Sequence, residues 1–169
     1  DRAAQAYRLH AMALAGQPRL GAARRLMESL DQLPTQLARA QLAATFARGG
    51  DTARAERAFV AALAATGRRF WSVDYGSAAR DSLATATLLR EASLLPEQLS
   101  TLLTRLPGGE FTPSRTSTQE QAWAVLAAQV LGQGTRAATV SVNGSALPPR
   151  PVVTAALSGP GRAVNMGGT

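Results

Sequence analysis

Apolar residues recur at helical spacing along most of residues 2–131, with polar or small residues between them. Glycines, prolines and side-chain capping residues interrupt this pattern and mark where each helix begins or ends. We therefore predict a mainly α-helical fold built of short antiparallel helical hairpins, with about seven helices. The predicted helices run from Arg2 to Ala15, from Pro18 toward Asp31, from Pro34 to Gly49, from Asp51 to Gly67, from Ser77 to Arg90, from Pro96 to Leu106 and from Ser117 to Leu131.

The last of these helices, Ser117–Leu131, carries its own start signal. Ser117 can act as N-cap, and the carboxylate of Glu120 can reach back to complete a capping box. Behind this cap, one face of the helix combines a tryptophan with three smaller apolar residues, Trp123, Leu126, Ala127 and Val130. We predict that this face is buried and that Trp123 anchors it.

The pattern changes after Gly132–Gly134. Residues 138–142 alternate with period two, and Asn143–Gly144 is typical of a two-residue hairpin turn. A further short strand is predicted over Val152–Leu157. We therefore expect two parts, a helical region over residues 1–134 and the start of a β-domain over residues 135–169.

Composition adds detail to this picture and excludes some classes of protein. Hydrophobic residues make up 46% of the chain but aromatic residues only 5%, so the core must consist of closely packed helices with small contact residues. The net charge is +7 and every basic side chain is an arginine. These arginines are scattered along the chain, which favours solvated helix faces over a nucleic-acid interface. No apolar run approaches the roughly 18 residues of a membrane span.

Catalytic chemistry finds little support in the sequence. There is no cysteine and only one histidine, His10, so neither a metal site nor a nucleophilic triad is indicated, and we expect His10 to be a packed or surface residue. Asp74 and Asp81 are the best candidates for a paired-carboxylate glycosidase site. We favour structural roles for both, with Asp81 paired to Arg80 or to a neighbouring helix.

A tetratricopeptide-like scaffold is an alternative class. One unit of that spacing is present, at Leu42, Ala43, Phe46, Ala55, Phe59 and Ala62. A second unit is not found at the repeat length, and such arrays need at least three. We therefore favour a generic antiparallel helical hairpin with alanines at the crossing, and a peptide-binding helical scaffold is the alternative function.

Two segments, DYGSAARDSLATATLL and TSTQEQAWAVLAA, resemble the thioester-containing domain of bacterial alpha-2-macroglobulins. The resemblance extends over Leu37–Gly134 and includes the hairpin LARAQLAATFARGGDTARAERAFVAAL. We expect the two segments to form helices that meet and hold each other in place. The residues that form this structural signature are Tyr75, Gly76, Ser77, Arg80, Asp81, Ser117, Gln119, Glu120 and Trp123.

The resemblance implies an α/α toroid of the terpenoid-cyclase type, followed by β-sandwich macroglobulin domains. It implies a large periplasmic parent protein, anchored to the inner membrane as a lipoprotein, that inhibits proteases by trapping them. In this family a thioester between the Cys and Gln of a C-x-E-Q motif acylates the trapped protease. The implied partners are proteases, reached through the full-length parent, and other macroglobulin domains of the same chain.

The thioester motif itself is missing, because these residues include no cysteine. Gln119-Glu120-Gln121 contains the letters EQ without a thiol and is not half of that motif. Either the motif lies upstream in the parent, or the parent belongs to the thioester-less branch of the family. We therefore expect an excised scaffold piece of the inhibitor, without enzymatic activity, catalytic residues, a metal or a cofactor.

Overall fold

The computed structural model describes residues 1–65, 76–105 and 116–132 in full, together with the backbone of residues 139–142, 145–146 and 164–167. The described helices are α1 (Arg2–Leu14), α2 (Leu20–Met27), α3 (Gln36–Arg48), α4 (Thr52–Ala64), α5 (Ala78–Ala92), α6 (Pro96–Arg105) and α7 (Thr118–Gly132), with a 3-10 turn at Leu30–Gln32. The described strands are β1 (Thr139–Val142), β2 (Ser145–Ala146) and β3 (Val164–Gly167). A mainly helical fold is confirmed, and the seven α-helices found in the described residues match the predicted number.

The chain forms two compact units, Asp1–Ala127 and Ala128–Thr169. The second unit contains a small antiparallel sheet in the order β2-β1-β3, in which Val140 lies opposite Met166. The predicted turn at Asn143–Gly144 and the predicted strand at Val152–Leu157 lie outside the described residues. The hairpin and the domain boundary at residue 134 therefore stay predictions.

Helix starts follow the capping signals in the sequence closely. Asp51 accepts a hydrogen bond from the Arg54 backbone N–H and caps α4, as predicted. Thr35 caps α3 in the same way, through a 3.1 Å hydrogen bond from the N–H of Ala38. Each cap satisfies a backbone donor that the helix itself leaves without a partner.

The prediction of one helix running from Pro18 toward Asp31 is wrong at both ends. Helix α2 begins only at Leu20 and ends at Met27, and a separate 3-10 turn follows. The helix ends because Ser29 leaves the helical conformation, with φ −117° and ψ 34°, and its hydroxyl donates to the carbonyl oxygen of Leu26. Farther along, the residue before Pro34 is held in extended conformation. Leu33 has that conformation, with φ −69° and ψ 122°, and it is almost completely buried.

Helix α3 lies at the centre of the first unit. It packs against α1, α2, α4 and α5, and its side chains are buried on nearly every face. Alanines allow neighbouring helices to approach it closely, and Phe46 fills the remaining space together with Phe59 of α4. The predicted α3–α4 hairpin is confirmed. The six residues that carry its spacing are all fully buried, namely Leu42, Ala43, Phe46, Ala55, Phe59 and Ala62.

The turn between α3 and α4 depends on two glycines. Gly50 adopts a left-handed conformation with φ +78°, which side chains disfavour. A Cβ at Gly49 would lie 2.5 Å from Cδ2 of Leu20, so the absence of a side chain lets α2 pack against this turn. Within the described residues, no helix is both long enough and apolar enough to cross a membrane.

His10 is a packed residue, in agreement with the expectation from sequence. It lies on α1 with only 6% of its surface exposed, and its Nδ1 has no hydrogen-bond partner among the described residues. Burial, assisted by the positive charge of Arg48 on α3, lowers the pKa of His10 from 6.5 to about 4. The native fold therefore holds this imidazole in its neutral form.

We predict that the free energy of unfolding falls as the pH is lowered from about 6.5 toward 4. In this window the unfolded chain binds a proton at His10 that the native state excludes, and the loss amounts to at most roughly 3 kcal/mol. Urea denaturation at several pH values measures it. His10→Gln should make the free energy of unfolding nearly independent of pH between pH 7 and 5. An equally steep pH dependence in that variant would show that His10 is not the group responsible. Because the chain has one histidine, its imidazole NMR signals report the pKa directly.

Candidate functional site

The residues of the predicted structural signature come together where α5 and α7 begin. Ser77, Arg80 and Asp81 lie at the N-terminal end of α5, and Gln119 and Glu120 lie in the first turn of α7. Tyr75 lies outside the described residues. The contacts below show that the two helices meet, and we call this region the α5–α7 junction.

A single carboxylate, that of Glu120, connects the two helix starts. One of its oxygens accepts a 2.5 Å hydrogen bond from the hydroxyl of Ser77. The other accepts a 2.6 Å hydrogen bond from the backbone N–H of Ser117, whose hydroxyl accepts in return from the N–H of Glu120 at 3.2 Å. The predicted capping box of α7 is thereby confirmed, and it extends to the N-cap of α5.

Ser77 serves both helices at once. Its Oγ accepts a 3.0 Å hydrogen bond from the backbone N–H of Arg80, which caps α5 as predicted, while its hydroxyl proton goes to Glu120. The hydrogen bonds from Ser77 and from the backbone of Ser117 lower the pKa of Glu120 below its ordinary value. Glu120 is therefore ionised at neutral pH, where its charge also suits the positive ends of two helix dipoles.

Beside this carboxylate lies a buried ion pair between two residues adjacent in sequence. Arg80 donates to Oδ1 of Asp81 from Nη2 at 2.7 Å and from Nε at 3.0 Å. Its Nη1 donates to Oε1 of Gln119 on α7 at 2.8 Å. Arg80 and Asp81 are 4% and 1% exposed, so the pairing predicted from sequence is confirmed and takes place in the interior.

Helix neighbours do not normally face each other, so this geometry requires the arginine to bend back toward its own helix. Burial of both charges is costly unless each is paired and hydrogen-bonded. The Arg80–Asp81 pair meets that condition, and Gln119 extends it across to α7. The ion pair therefore helps to set the geometry of the junction and adds no net charge to it.

The arrangement offers no catalytic centre in the described residues. Asp74, the proposed partner of Asp81 in a carboxylate pair, lies outside them, and Asp81 itself is engaged by Arg80. In the part of the chain that the structure describes, no group of three or more potential ligands could hold a metal ion. The hydrogen bonds and the ion pair at the junction hold the starts of α5 and α7 together.

The prediction of a buried Trp123 face is wrong for most of α7. Ala127 is the buried residue of this helix, whereas Trp123 is only partly buried and Leu126 is 44% exposed. The physical reason is that α7 contacts the described part of the first unit mainly through its first turns, at the junction. Apolar side chains farther along, such as Val125 at 67% exposure, remain open to solvent.

A groove of about 350 Å³ opens next to the junction, and the sequence did not indicate it. Arg80, Gln119 and Trp123 lie on its junction side. Residues of α1 and α3 complete it, among them Tyr7 and Gln41. The one signal that could have revealed it is Gln41, which lies within the otherwise apolar run Ala40–Ala44 of α3, because a polar residue there is expected to meet a partner or a cavity.

Comparison with known proteins identifies relatives of this chain. No protein-family model matches the chain. Alpha-2-macroglobulin of Escherichia coli strain K12 is 34% identical over 132 residues, which are 76% of this chain and 8% of that protein. The chain thus spans less than a tenth of the curated relative that it matches.

Solved structures agree with the sequence match. The crystal structure of native Escherichia coli alpha-2-macroglobulin from domain MG7 to the C-terminus matches with a TM-score of 0.72 and 32% identity, over 85% of this chain and 23% of that one. Salmonella alpha-2-macroglobulin reacted with methylamine matches with a TM-score of 0.72 and 32% identity, over 86% of this chain and 10% of that one. Escherichia coli alpha-2-macroglobulin activated by porcine elastase matches with a TM-score of 0.69 and 32% identity, over 86% of this chain and 14% of that one.

The chain therefore corresponds to one helical region within a class of large multidomain bacterial proteins. It is a homologue of bacterial alpha-2-macroglobulin, and the match lies in the C-terminal region of those proteins. The resemblance noted from two sequence segments is confirmed.

We predict that Asp81→Ala destabilises the first unit by roughly 3–5 kcal/mol, because it leaves Arg80 buried without its carboxylate. Replacing both partners, Arg80→Met with Asp81→Leu, should cost much less. Urea denaturation of the two variants measures the difference. The matched control is Glu91→Ala, which removes the half-exposed ion pair to Arg48 and should cost less than about 1 kcal/mol. Equal losses for Asp81→Ala and Glu91→Ala would contradict the importance of burial.

We predict that Glu120→Gln lowers stability by about 1 kcal/mol at neutral pH, because charge-assisted hydrogen bonds to two helix starts become neutral ones. The lowered pKa of Glu120 means that this stabilisation is complete above the ordinary glutamate pKa and is lost as the pH falls through the folded value. Wild type and variant should therefore converge in acid. Glu56→Gln, on the exposed side of α4, is the control, and a constant difference at all pH values would argue against this role of Glu120.

Proposed function

We propose that this chain is a scaffold portion of the thioester-containing domain of a protease-trapping inhibitor of the alpha-2-macroglobulin type. The observation that carries the proposal is the 34% identity over 132 residues, together with matching structures in the C-terminal region of such proteins. The α5–α7 junction supports it further, because the two segments that resemble the family are the ones that this junction joins.

The proposed architecture is an α/α toroid to which residues 1–134 contribute helical hairpins. Antiparallel hairpins packed around α3 are compatible with such a ring. Residues 135–169 would begin a β-sandwich macroglobulin domain, and the antiparallel pairing of β1 with β2 and β3 is what supports that part of the proposal. In the parent, other macroglobulin domains would be the direct neighbours of this scaffold.

The proposed role is mechanical support without acyl transfer. The 169 residues contain no thiol, so they cannot form a thioester between Cys and Gln. A homologue has been studied after reaction with methylamine and another after activation by porcine elastase. By analogy, proteases would be the partners of the full-length parent, which we place in the periplasm, attached to the inner membrane through a lipid anchor outside these residues.

Incubation of the full-length parent with porcine elastase tests the function. A trapped protease is expected to keep cleaving a small chromogenic peptide while it loses activity toward a large protein substrate. Covalent complexes that survive denaturing electrophoresis, and that disappear after pretreatment with methylamine, are expected if the parent has a thioester. Loss of elastase activity toward the large substrate without covalent complexes would assign the parent to the thioester-less branch.

Full elastase activity toward both substrates, with no change in the parent's electrophoretic mobility under native conditions, would contradict the proposal. The control for the scaffold role is the parent carrying Asp81→Ala, in which the buried Arg80 loses its partner. That variant should lose protection of the large substrate as its helical domain loses stability, whereas the parent carrying Glu91→Ala should behave as wild type.

A further inference from the structure

The groove beside the α5–α7 junction has the composition of a binding site. Its volume of about 350 Å³ lies within the range of roughly 300–1,000 Å³ that is usual for ligand pockets. Tyr7 and Trp123 contribute aromatic surface, and Ala3, Ala4 and Leu37 contribute aliphatic surface. Tyr7 is 60% exposed, which is unusual for so large a ring on a helix whose other face forms the core.

Gln41 is the polar group that points to a ligand. It lies on α3, is only 7% exposed, and lines the groove. Within the described residues its side-chain amide makes no hydrogen bond, although an amide carries two donors and one acceptor. Because this amide lines the groove and makes no hydrogen bond to the described residues, a ligand that offers a donor and an acceptor together can bond to both of its ends.

The charges around the groove argue against an anionic ligand. Arg80 reaches the groove, but its charge is compensated by Asp81 at 2.7 Å. Asp1 at the rim uses its carboxylate to cap α1, through a 2.9 Å hydrogen bond from the N–H of Ala3. The bond from the Ala3 N–H leaves the Asp1 carboxylate negatively charged, so an anion would be repelled at the rim and would find the charge of Arg80 already compensated.

We propose that this groove binds a neutral peptide segment through one bulky apolar side chain. The side chain lies between Tyr7 and Trp123, and the same peptide residue donates its N–H to Gln41 Oε1 and accepts at its C=O from Gln41 Nε2. A residue in extended conformation meets the requirement because its own N–H and C=O point to the same side of the chain. This activity goes beyond the proposed scaffold role, since a chain could support the parent without it.

The experiment is an NMR titration of the 169-residue chain with acetyl-Leu-Leu-amide. The indole N–H of Trp123 and the side-chain NH₂ of Gln41 should shift together and saturate at millimolar peptide, while the backbone N–H signals of α4, which does not line the groove, serve as internal reference. Methylation of the second leucine nitrogen removes the donor. It should weaken binding roughly three- to tenfold, the range expected for one net hydrogen bond.

Variants separate the amide from the apolar surface. Gln41→Leu should weaken binding of the unmethylated peptide by a similar factor, and in that variant methylation should have no further effect. Gln5→Leu, an exposed glutamine on α1, is the matched control and should bind as wild type. Ala4→Phe should fill the groove and abolish binding, whereas Ala11→Phe, on an exposed position of the same helix, should leave it unchanged.

Three results would overturn the proposal. One is the absence of any saturable shift of Trp123 at millimolar peptide. Another is equal affinity for both peptides, because the amide of Gln41 would then not be used. The last is a concentration-dependent dimer that Ala4→Phe abolishes, because the groove would then be occupied by a second copy of the chain.

Discussion

The burial of α3 is the constraint on which the rest of the first unit depends. A helix can be surrounded on every side only if its side chains let several neighbours approach closely, and the alanines at positions 38, 40, 43 and 44 do so. Helices α1, α4 and α5 then take their places by packing against it. Phe46 and Phe59 provide the large buried surfaces that alanine cannot supply, which explains how a chain with few aromatic residues still forms a core.

Packing against α3 also sets the position of α5, and through α5 the junction with α7. Arg80 and Asp81 are brought into the interior as a pair because the start of α5 lies close to the core. From that position Arg80 reaches Gln119, and Ser77 reaches Glu120. The junction is therefore made of hydrogen bonds and charges at the ends of helices, whereas the body of the unit is held by apolar contacts. This division is consistent with the scaffold role that we propose.

Much of the helical part could be predicted from sequence because its signals are local. The caps at Asp51 and Ser77 and the capping box of Ser117 and Glu120 depend on residues no more than three positions apart. The hairpin spacing of Leu42 to Ala62 follows from helical period alone. The course of the chain from Pro18 to Pro34 could not be predicted as well, because apolar spacing continues there while Ser29 leaves the helical conformation and Leu33, before Pro34, is extended.

The sequence by itself determined the helical hairpins, the caps at Asp51, Ser77 and Ser117, and the resemblance to bacterial alpha-2-macroglobulins, and it offered Arg80 as one of two partners for Asp81. These features rest on short-range chemistry or on motifs that are read directly along the chain. Only the tertiary structure decided that Trp123 is partly exposed, that Glu120 joins two helices and that Gln41 lines a groove. Each of these depends on which distant helix packs against a side chain. Helical periodicity predicts the apolar face of a helix but does not predict which other helix covers that face.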